Sequence, residues 1–104
     1  MSVQRGAPEA SEAEEGTRRW RVRGRVQGVG FRWWAMSVAR ELDLAGTVRN
    51  LPDGSVDIAA SGETGALHRF RDSVARGPTG ARVDALEELD PPAGPLPKPF
   101  EIAR

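Results

Sequence analysis

Residues 24–32 read Gly24-Arg25-Val26-Gln27-Gly28-Val29-Gly30-Phe31-Arg32, and the rest of the chain is best understood outward from them. Their pattern is that of a strand end, a loop with two glycines and the first turn of a helix. Glycine lets consecutive backbone amides turn toward one point. No Ser, Thr, Asp or Asn stands at the expected cap position, so the free N–H groups of the helix start are not occupied by a side chain. Arg32 adds a guanidinium whose fork suits phosphate or carboxylate. The stretch therefore predicts an anion-binding loop.

Hydrophobic periodicity predicts the elements on either side of this loop. Strict alternation from Arg18 to Val26 indicates a strand with one buried face, and Leu51-Pro52-Asp53-Gly54 is a turn signal inside a hairpin over 44–61. Further patterns predict helices over 31–43 and 64–76, a strand over 81–89, and a short edge strand over 100–102. The order βαββαβ predicts an α+β fold, a ferredoxin-like split βαββαβ sandwich with two helices on one face of an antiparallel sheet.

Length and composition indicate one small domain in a reducing compartment. The chain has 104 residues, enough for a single core, and its 15 basic residues balance its 15 acidic ones, so no overall polycation favours bulk nucleic-acid binding. It has no cysteine, no signal-peptide pattern and no apolar run that could cross a membrane. We therefore expect a cytoplasmic protein with no membrane partner. Residues 1–17 are acidic and poor in large apolar side chains, which predicts a disordered tail before a domain over 18–104.

The residues around the loop exclude most phosphatase chemistry. The glycine spacing fits neither a dinucleotide fingerprint nor a Walker A loop, and a cysteine phosphatase would need Cys where Val26 stands. No Asp, Glu, His or Cys occurs between Thr17 and Arg40, which argues against a covalent phosphoenzyme. His68 is the only histidine, and no carboxylate cluster accompanies the loop, so we expect no metal. Such a site can transfer a phosphoryl group only from a leaving group of low basicity, such as a carboxylate.

An attacking water must still be oriented, and Asn50 is the best candidate for that role. It lies at the end of the first strand of the predicted hairpin, just before the Pro52-Asp53-Gly54 turn. In a split βαββαβ sheet that strand neighbours the central pair, so Asn50 can reach the end of the sheet where the loop lies. On its own, an asparagine at this position is more often a simple turn residue.

The two motifs together resemble those of the acylphosphatase family. The first is residues 24–32, and the second is Gly46-x-Val48-Arg49-Asn50-x-x-Asp53-Gly54-Ser55-Val56; the resemblance extends over about residues 18–102. It implies hydrolysis of small acyl phosphates to a carboxylate and phosphate without a metal or cofactor. It also implies that Arg32 binds the phosphate together with the backbone amides of Gln27, Gly28, Val29, Gly30 and Phe31, and that Asn50 positions the water. Separately, we expect a monomer.

Two positions depart from the family pattern. Asp43 stands where the family usually has glycine after the first helix, and Thr47 stands where it favours an aromatic residue. If Asp43 is in the left-handed region, the cost is about 1 kcal/mol. Both departures concern stability and packing, because neither changes Arg32 or Asn50.

Three other interpretations accompany the acylphosphatase one. The arginine row, defined as Arg19, Arg21, Arg23 and Arg25, alternates with the buried face of the first strand and could serve a non-enzymatic anion- or RNA-binding module. Cross-strand ion pairs with Asp57, Asp84, Glu87 or Glu88 explain the row more simply, and no exposed aromatic residue shares its face, so no nucleic-acid partner is expected. Within the family, the alternative is a domain like the N-terminal part of hydrogenase-maturation carbamoyltransferases. We expect that a chain ending at Arg104 argues against this alternative.

Overall fold

The computed structural model describes residues 13–104, which form one five-stranded sheet and two helices. Along the chain, the elements are β1 (Glu15–Arg25), α1 (Phe31–Glu41), β2 (Ala45–Asn50), β3 (Val56–Glu63), α2 (Thr64–Arg76), β4 (Arg82–Leu89) and β5 (Glu101–Ile102). The strands lie in the order β4-β1-β3-β2-β5. This is the predicted split βαββαβ arrangement with a short fifth strand.

The first four strands pair antiparallel, and β5 differs from them. It runs parallel to β2, with Thr47 opposite Glu101 and Val48 opposite Ile102, so the complete sheet is mixed and not purely antiparallel. The proline-rich connection after β4 carries the chain to the far edge of the sheet, and Phe100, fully buried, enters the core just before β5. The fifth strand is therefore held by the packing of Phe100 as well as by its few backbone hydrogen bonds.

The core lies between the sheet and the two helices. Trp20 of β1 packs edge-to-face on Phe70 of α2, with ring centroids 5.9 Å apart, and Phe70 packs in the same way on Phe100. Trp20 is 1% exposed, as the alternating pattern predicted. Edge-to-face aromatic pairs contribute about 0.5–1.5 kcal/mol beyond the area they bury. This aromatic chain joins β1, α2 and the segment that leads into β5.

The first strand is longer at its start than the sequence predicted. β1 begins at Glu15, three residues before Arg18, and its pairing with β3 includes Glu15, Gly16 and Thr17. The last three residues of the predicted tail, 15–17, therefore belong to β1. Residues 1–12 of that tail lie outside the described residues.

Asp43, just after the end of the first helix, adopts the left-handed backbone conformation. The helix stops at Glu41, two residues before the predicted end, and Asp43 has a φ of 59°. The Leu44 amide donates to the Ala39 carbonyl at 3.0 Å, which closes the helix in the pattern of a Schellman motif. The Asp43 carboxylate lies 3.0 Å from the Lys98 ammonium on the surface.

Asp43→Gly is expected to stabilise the protein by about 0.5–1 kcal/mol, because glycine adopts the left-handed region without the steric cost of a Cβ. The lost ion pair with Lys98 is exposed and contributes less than about 0.5 kcal/mol. Urea unfolding measures the difference. Lys98→Ala, which removes the ion pair alone, is the matched control. A loss of stability in Asp43→Gly larger than in Lys98→Ala would contradict this explanation.

The outer face of the sheet carries the arginine row, and three of its four members pair with carboxylates as the sequence predicted, whereas no ion pair within 4.0 Å is found for Arg25 among residues 13–104. Arg19 Nε donates to Asp57 Oδ1 at 2.9 Å, and guanidinium nitrogens of Arg21 and Arg49 lie 3.7 and 3.9 Å from the same carboxylate. Arg23 pairs with Glu87 at 3.9 Å and with Asp53 at 3.2 Å. Asp84 instead pairs with Arg82 of its own strand at 2.9 Å. Asp57 is only 7% exposed, so this face is organised around an internal ion-pair network.

Candidate active site

The predicted anion-binding loop lies between β1 and α1 and is fixed by apolar anchors. Val26 and Phe31 are each 1% exposed, and Val29 packs partly against the core. Between these anchors, Gly28 and Gly30 have φ values of 76° and 77°, in the left-handed region where residues with a Cβ are strained. Alternating buried residues and left-handed glycines therefore set the course of the loop.

The start of α1 has no side-chain cap. Gly30 is the N-cap residue, it supplies no capping oxygen, and the first helical bond runs from the Trp34 amide to the Gly30 carbonyl at 3.1 Å. No acidic side chain stands in the first turn. The first amides of the helix therefore keep their hydrogen-bonding capacity and their partial positive charge, which is the local chemistry of an anion site.

A side chain from this loop ties it to the turn that follows Asn50. Gln27 Nε2 donates to the carbonyl oxygens of Leu51 and Ser55, each at 2.8 Å. The same two carbonyls also close the turn, because the Leu51 amide donates to Ser55 at 2.9 Å and the Gly54 amide donates to Leu51 at 3.1 Å. The sequence assigned Gln27 only a backbone role. Its side chain holds the loop and the end of β2 in a fixed relation, an arrangement called the Gln27 bridge below.

Gln27→Ala should lower the free energy of unfolding by about 1–2 kcal/mol, because two hydrogen bonds are lost at a half-buried position. It should also lower kcat/KM for acetyl phosphate by roughly 10-fold or more, since small displacements of positioned groups reduce catalysis strongly. Gln27→Met separates the two effects by keeping the volume of the side chain while removing its donors. Full activity in Gln27→Met, measured at a temperature where it is folded, would contradict a positioning role.

Asn50 lies where the sequence predicted, at the last position of β2 opposite Val56 of β3. Its Oδ1 is buried and has no hydrogen-bond partner among residues 13–104. An unpartnered buried oxygen costs about 1–3 kcal/mol, so its presence requires a reason other than stability. An oxygen that can accept a hydrogen bond from a water molecule meets that requirement.

Arg32 is half-buried in the first turn of α1, and no ion pair within 4.0 Å is found for it among residues 13–104. Its side chain lines an open groove of about 470 Å³ between α1 and β5. Asn50 is not among the residues that line this groove. Among residues 13–104, no side-chain hydrogen bond joins Arg32 to Asn50, and the Gln27 bridge is the observed connection between their segments.

The groove also contains residues that the sequence analysis did not assign to the site: Trp33, Met36, Arg40, Glu101, Ile102 and Arg104. Helical spacing would have revealed part of this set, because residues 32, 36 and 40 recur on one face of a helix. The part from β5 depends on the parallel pairing of that strand with β2, for which the sequence has no local signal. Trp33 lines the groove beside Arg32.

The turn after Asn50 is stabilised by Asp53. Its Oδ1 accepts hydrogen bonds from the hydroxyl and the backbone amide of Ser55, and its Oδ2 lies 3.2 Å from Arg23 Nη1. The Ser55 hydroxyl, followed by the Ser55 amide and Arg23, lowers the pKa of Asp53 from 3.8 to about 2. The carboxylate is therefore ionised throughout the neutral range and acts as a fixed acceptor in the turn.

A carboxyl group whose pKa is lower in the folded state than in the unfolded state stabilises the fold at pH values above its unfolded-state pKa. This contribution is lost as the pH falls through its folded-state pKa. For Asp53 the loss should occur between about pH 4 and pH 2. Urea unfolding at pH 5, 3 and 2 should show a smaller decline in Asp53→Asn than in the unaltered protein. Asp72→Asn, an exposed change on α2, is the control. Equal declines in all three proteins would show that Asp53 does not contribute in this range.

The described part of the chain has neither a metal-binding cluster nor a membrane-spanning helix. Residues 13–104 contain no group of three or more His, Cys, Asp or Glu side chains placed to hold a metal ion. His68 is exposed on α2, as expected. Neither helix of this region has the length and apolar character needed to cross a bilayer. A reaction that needs no metal stays a prediction.

The sequence and the fold are both similar to those of known proteins. A family model described as Acylphosphatase matches residues 18–102. The acylphosphatase of Nitratidesulfovibrio vulgaris (strain DP4) is 48% identical over 87 residues, which cover 82% of this chain and 87% of that relative. The crystal structure of acylphosphatase from Bacillus subtilis has a TM-score of 0.74 and 35% identity, covering 88% of this chain and 100% of the other.

A larger protein contains a similar unit. The crystal structure of full-length HypF in the phosphate- and nucleotide-bound form has a TM-score of 0.78 and 25% identity, and the match covers 88% of this chain but 12% of the HypF chain. The family match spans both the loop over residues 24–32 and Asn50. With the split βαββαβ fold and the uncapped helix start described above, the chain belongs to the acylphosphatase family.

Proposed function

We propose that this chain hydrolyses small acyl phosphates to a carboxylate and inorganic phosphate, with Arg32 and the amides of Gln27, Gly28, Val29, Gly30 and Phe31 holding the phosphate and Asn50 orienting the attacking water. The observation that carries the assignment of roles is the Gln27 bridge. It joins the loop with the uncapped helix start to the segment that follows Asn50. Membership of the acylphosphatase family supports the reaction.

The first requirement of the reaction is neutralisation of the phosphate charge. The Arg32 guanidinium supplies a full positive charge, and the start of α1 adds the partial charge of its unbonded amides. Because these donors are held by a buried framework, they need little reorganisation as charge develops on the phosphoryl oxygens. Positioning and charge stabilisation are the main demands of phosphoryl transfer.

The chemical step is a direct attack of water on phosphorus. The water oxygen forms the new P–O bond, the bond between phosphorus and the acyl oxygen breaks, and its electron pair leaves with the carboxylate. A proton from the water passes to a phosphate oxygen, so no side chain has to act as a general base. A carboxylate leaving group also needs no general acid, which fits a loop without Asp, Glu or His between Thr17 and Arg40.

The remaining expectations concern partners and setting. We expect a cytoplasmic monomer that acts without a metal or cofactor and binds neither nucleic acid nor membrane. The paired arginine row on the outer sheet face supports the expectation about nucleic acid, because Asp57 and Glu87 already neutralise several of its charges. The acyl phosphate itself is the expected ligand.

Acetyl phosphate hydrolysis, measured with and without EDTA, tests this function against a non-enzymatic anion- or RNA-binding module. The proposal expects turnover that EDTA does not reduce. Turnover that EDTA abolishes would contradict the metal-free mechanism. No turnover of either acetyl or benzoyl phosphate, together with retained binding of inorganic phosphate, would favour the binding module.

A further inference from the structure

The exposed ring of Trp33 is unusual on this surface. Trp33 is 66% exposed and is the one large hydrophobic side chain classed as exposed among residues 13–104. By contrast, the neighbouring Trp34 packs edge-to-face on Phe31, with ring centroids 5.4 Å apart, and belongs to the margin of the core. Trp33 therefore contributes little to the packing of the fold and leaves most of its ring available for contact.

Trp33 borders the groove that begins at Arg32. Met36 lies one helical turn beyond Arg32 on α1, about 6 Å along the axis, and Ile102 of β5 lines the same groove. These three side chains form an apolar surface, called the apolar wall below, directly beside the phosphate-binding arginine. At the far end, Arg40 Nε donates to the Phe100 carbonyl at 2.8 Å, which fixes the distance between α1 and the segment leading into β5.

We propose that the apolar wall of Trp33, Met36 and Ile102 receives the acyl group of the substrate and selects aromatic acyl phosphates over acetyl phosphate. This inference rests on the proposed function, because the occupant is the part of the substrate that does not react. A benzoyl group is long enough to leave the phosphate on Arg32 and cover the wall, whereas an acetyl group has a single methyl. Aromatic faces and apolar side chains contact such a ring favourably.

The position of the groove suits the geometry of the reaction. In-line displacement places the attacking water and the leaving group on opposite sides of phosphorus. Asn50, which is assigned to the water, does not line the groove, while Arg32 does. An acyl group held in the groove therefore does not compete with a water bound to Asn50 for the same lining residues. Arg40 and Arg104, which also line the groove, outnumber the single carboxylate of Glu101 and favour the carboxylate product over a cationic ligand.

The wall should affect substrate binding more than the chemical step, because its contacts exist equally in the bound substrate and in the transition state. Uniform binding of this kind changes KM with little change in kcat. A single apolar contact typically changes selectivity by about 10-fold or somewhat more. The expected effect of removing the Trp33 ring is therefore a fall of about 10-fold in the ratio of kcat/KM for benzoyl phosphate to kcat/KM for acetyl phosphate.

The experiment compares Trp33→Ala, Trp33→Phe and the unaltered protein on both substrates. Because Trp33 is mostly exposed, Trp33→Ala should fold normally, and Trp33→Phe should restore most of the selectivity by returning an aromatic face. His68→Ala, which removes an exposed ring from α2 far along the chain, is the matched control and should keep the ratio of the unaltered protein.

The outcomes separate the proposed role of the apolar wall from the proposed acyl phosphate hydrolysis. A fall in the ratio through a higher KM for benzoyl phosphate, rescued by Trp33→Phe, supports the apolar wall. An unchanged ratio, or equal losses on both substrates, overturns the wall while leaving acyl phosphate hydrolysis in place. If the unaltered protein hydrolyses neither substrate, the proposed function fails and the wall is overturned with it.

Discussion

Arg32→Ala is expected to lower kcat for acetyl phosphate by about 10³-fold or more, because an arginine that stabilises the charge of phosphoryl transfer typically contributes 10³–10⁵-fold. The guanidinium is the full positive charge assigned to the phosphate in this site, and the helix start supplies only a partial one. Stability should change by less than about 0.5 kcal/mol, since Arg32 has no ion pair within 4.0 Å among residues 13–104.

Two further variants sharpen this result. Arg32→Lys keeps a positive charge but loses the fork that binds two phosphate oxygens, so it should recover only part of the activity. Arg71→Ala on α2 removes an exposed arginine remote from the loop and should retain full activity. Near-normal hydrolysis by Arg32→Ala in a folded protein would remove Arg32 from the mechanism.

Asn50→Ala is expected to lower kcat by about 10²-fold without lowering stability. Loss of one oriented hydrogen-bonding group in a transition state typically costs 10²–10³-fold. The stability expectation follows from the buried Oδ1, which has no partner among the described residues. Removing an unpaired buried oxygen should leave the free energy of unfolding unchanged or raise it by about 1 kcal/mol.

Loss of activity together with unchanged or greater stability would identify Asn50 as a residue kept for its chemistry. Thr47→Ala lies in the same strand but toward the outer face of the sheet, and should leave the rate near its normal value. If Asn50→Ala instead unfolds the protein while its residual folded fraction hydrolyses acetyl phosphate normally, Asn50 is a structural turn residue.

Much of the fold could be predicted from the sequence because its signals are local. Alternation in β1 reports the buried positions of Trp20 and Val22, and helical spacing reports those of Phe31 and Ala35 in α1. The family's usual glycine at position 43 raised the question of a left-handed conformation, and Asp43 has a φ of 59°. The start of β1 was missed because Gly16 and Thr17 extend the strand through pairing with β3, and not through hydrophobic pattern.

The site was predictable in its residue types but not in its connections. The motifs named Arg32 and Asn50, whereas the Gln27 bridge depends on two turn carbonyls that face the loop only in the folded chain. The groove wall formed by Ile102 depends on the parallel docking of β5, which follows a proline-rich connection without a periodic pattern. Local sequence patterns do not predict contacts between segments that are distant in the chain.

The central claim is that water attacks phosphorus while the carboxylate leaves. Hydrolysis of acetyl phosphate in ¹⁸O-labelled water, followed by mass spectrometry of both products, tests it most directly. The mechanism predicts that the label enters inorganic phosphate and that acetate stays unlabelled, because the broken bond is the one between phosphorus and the acyl oxygen. Label in acetate would show attack on the carbonyl carbon and would contradict the roles proposed for Arg32 and Asn50.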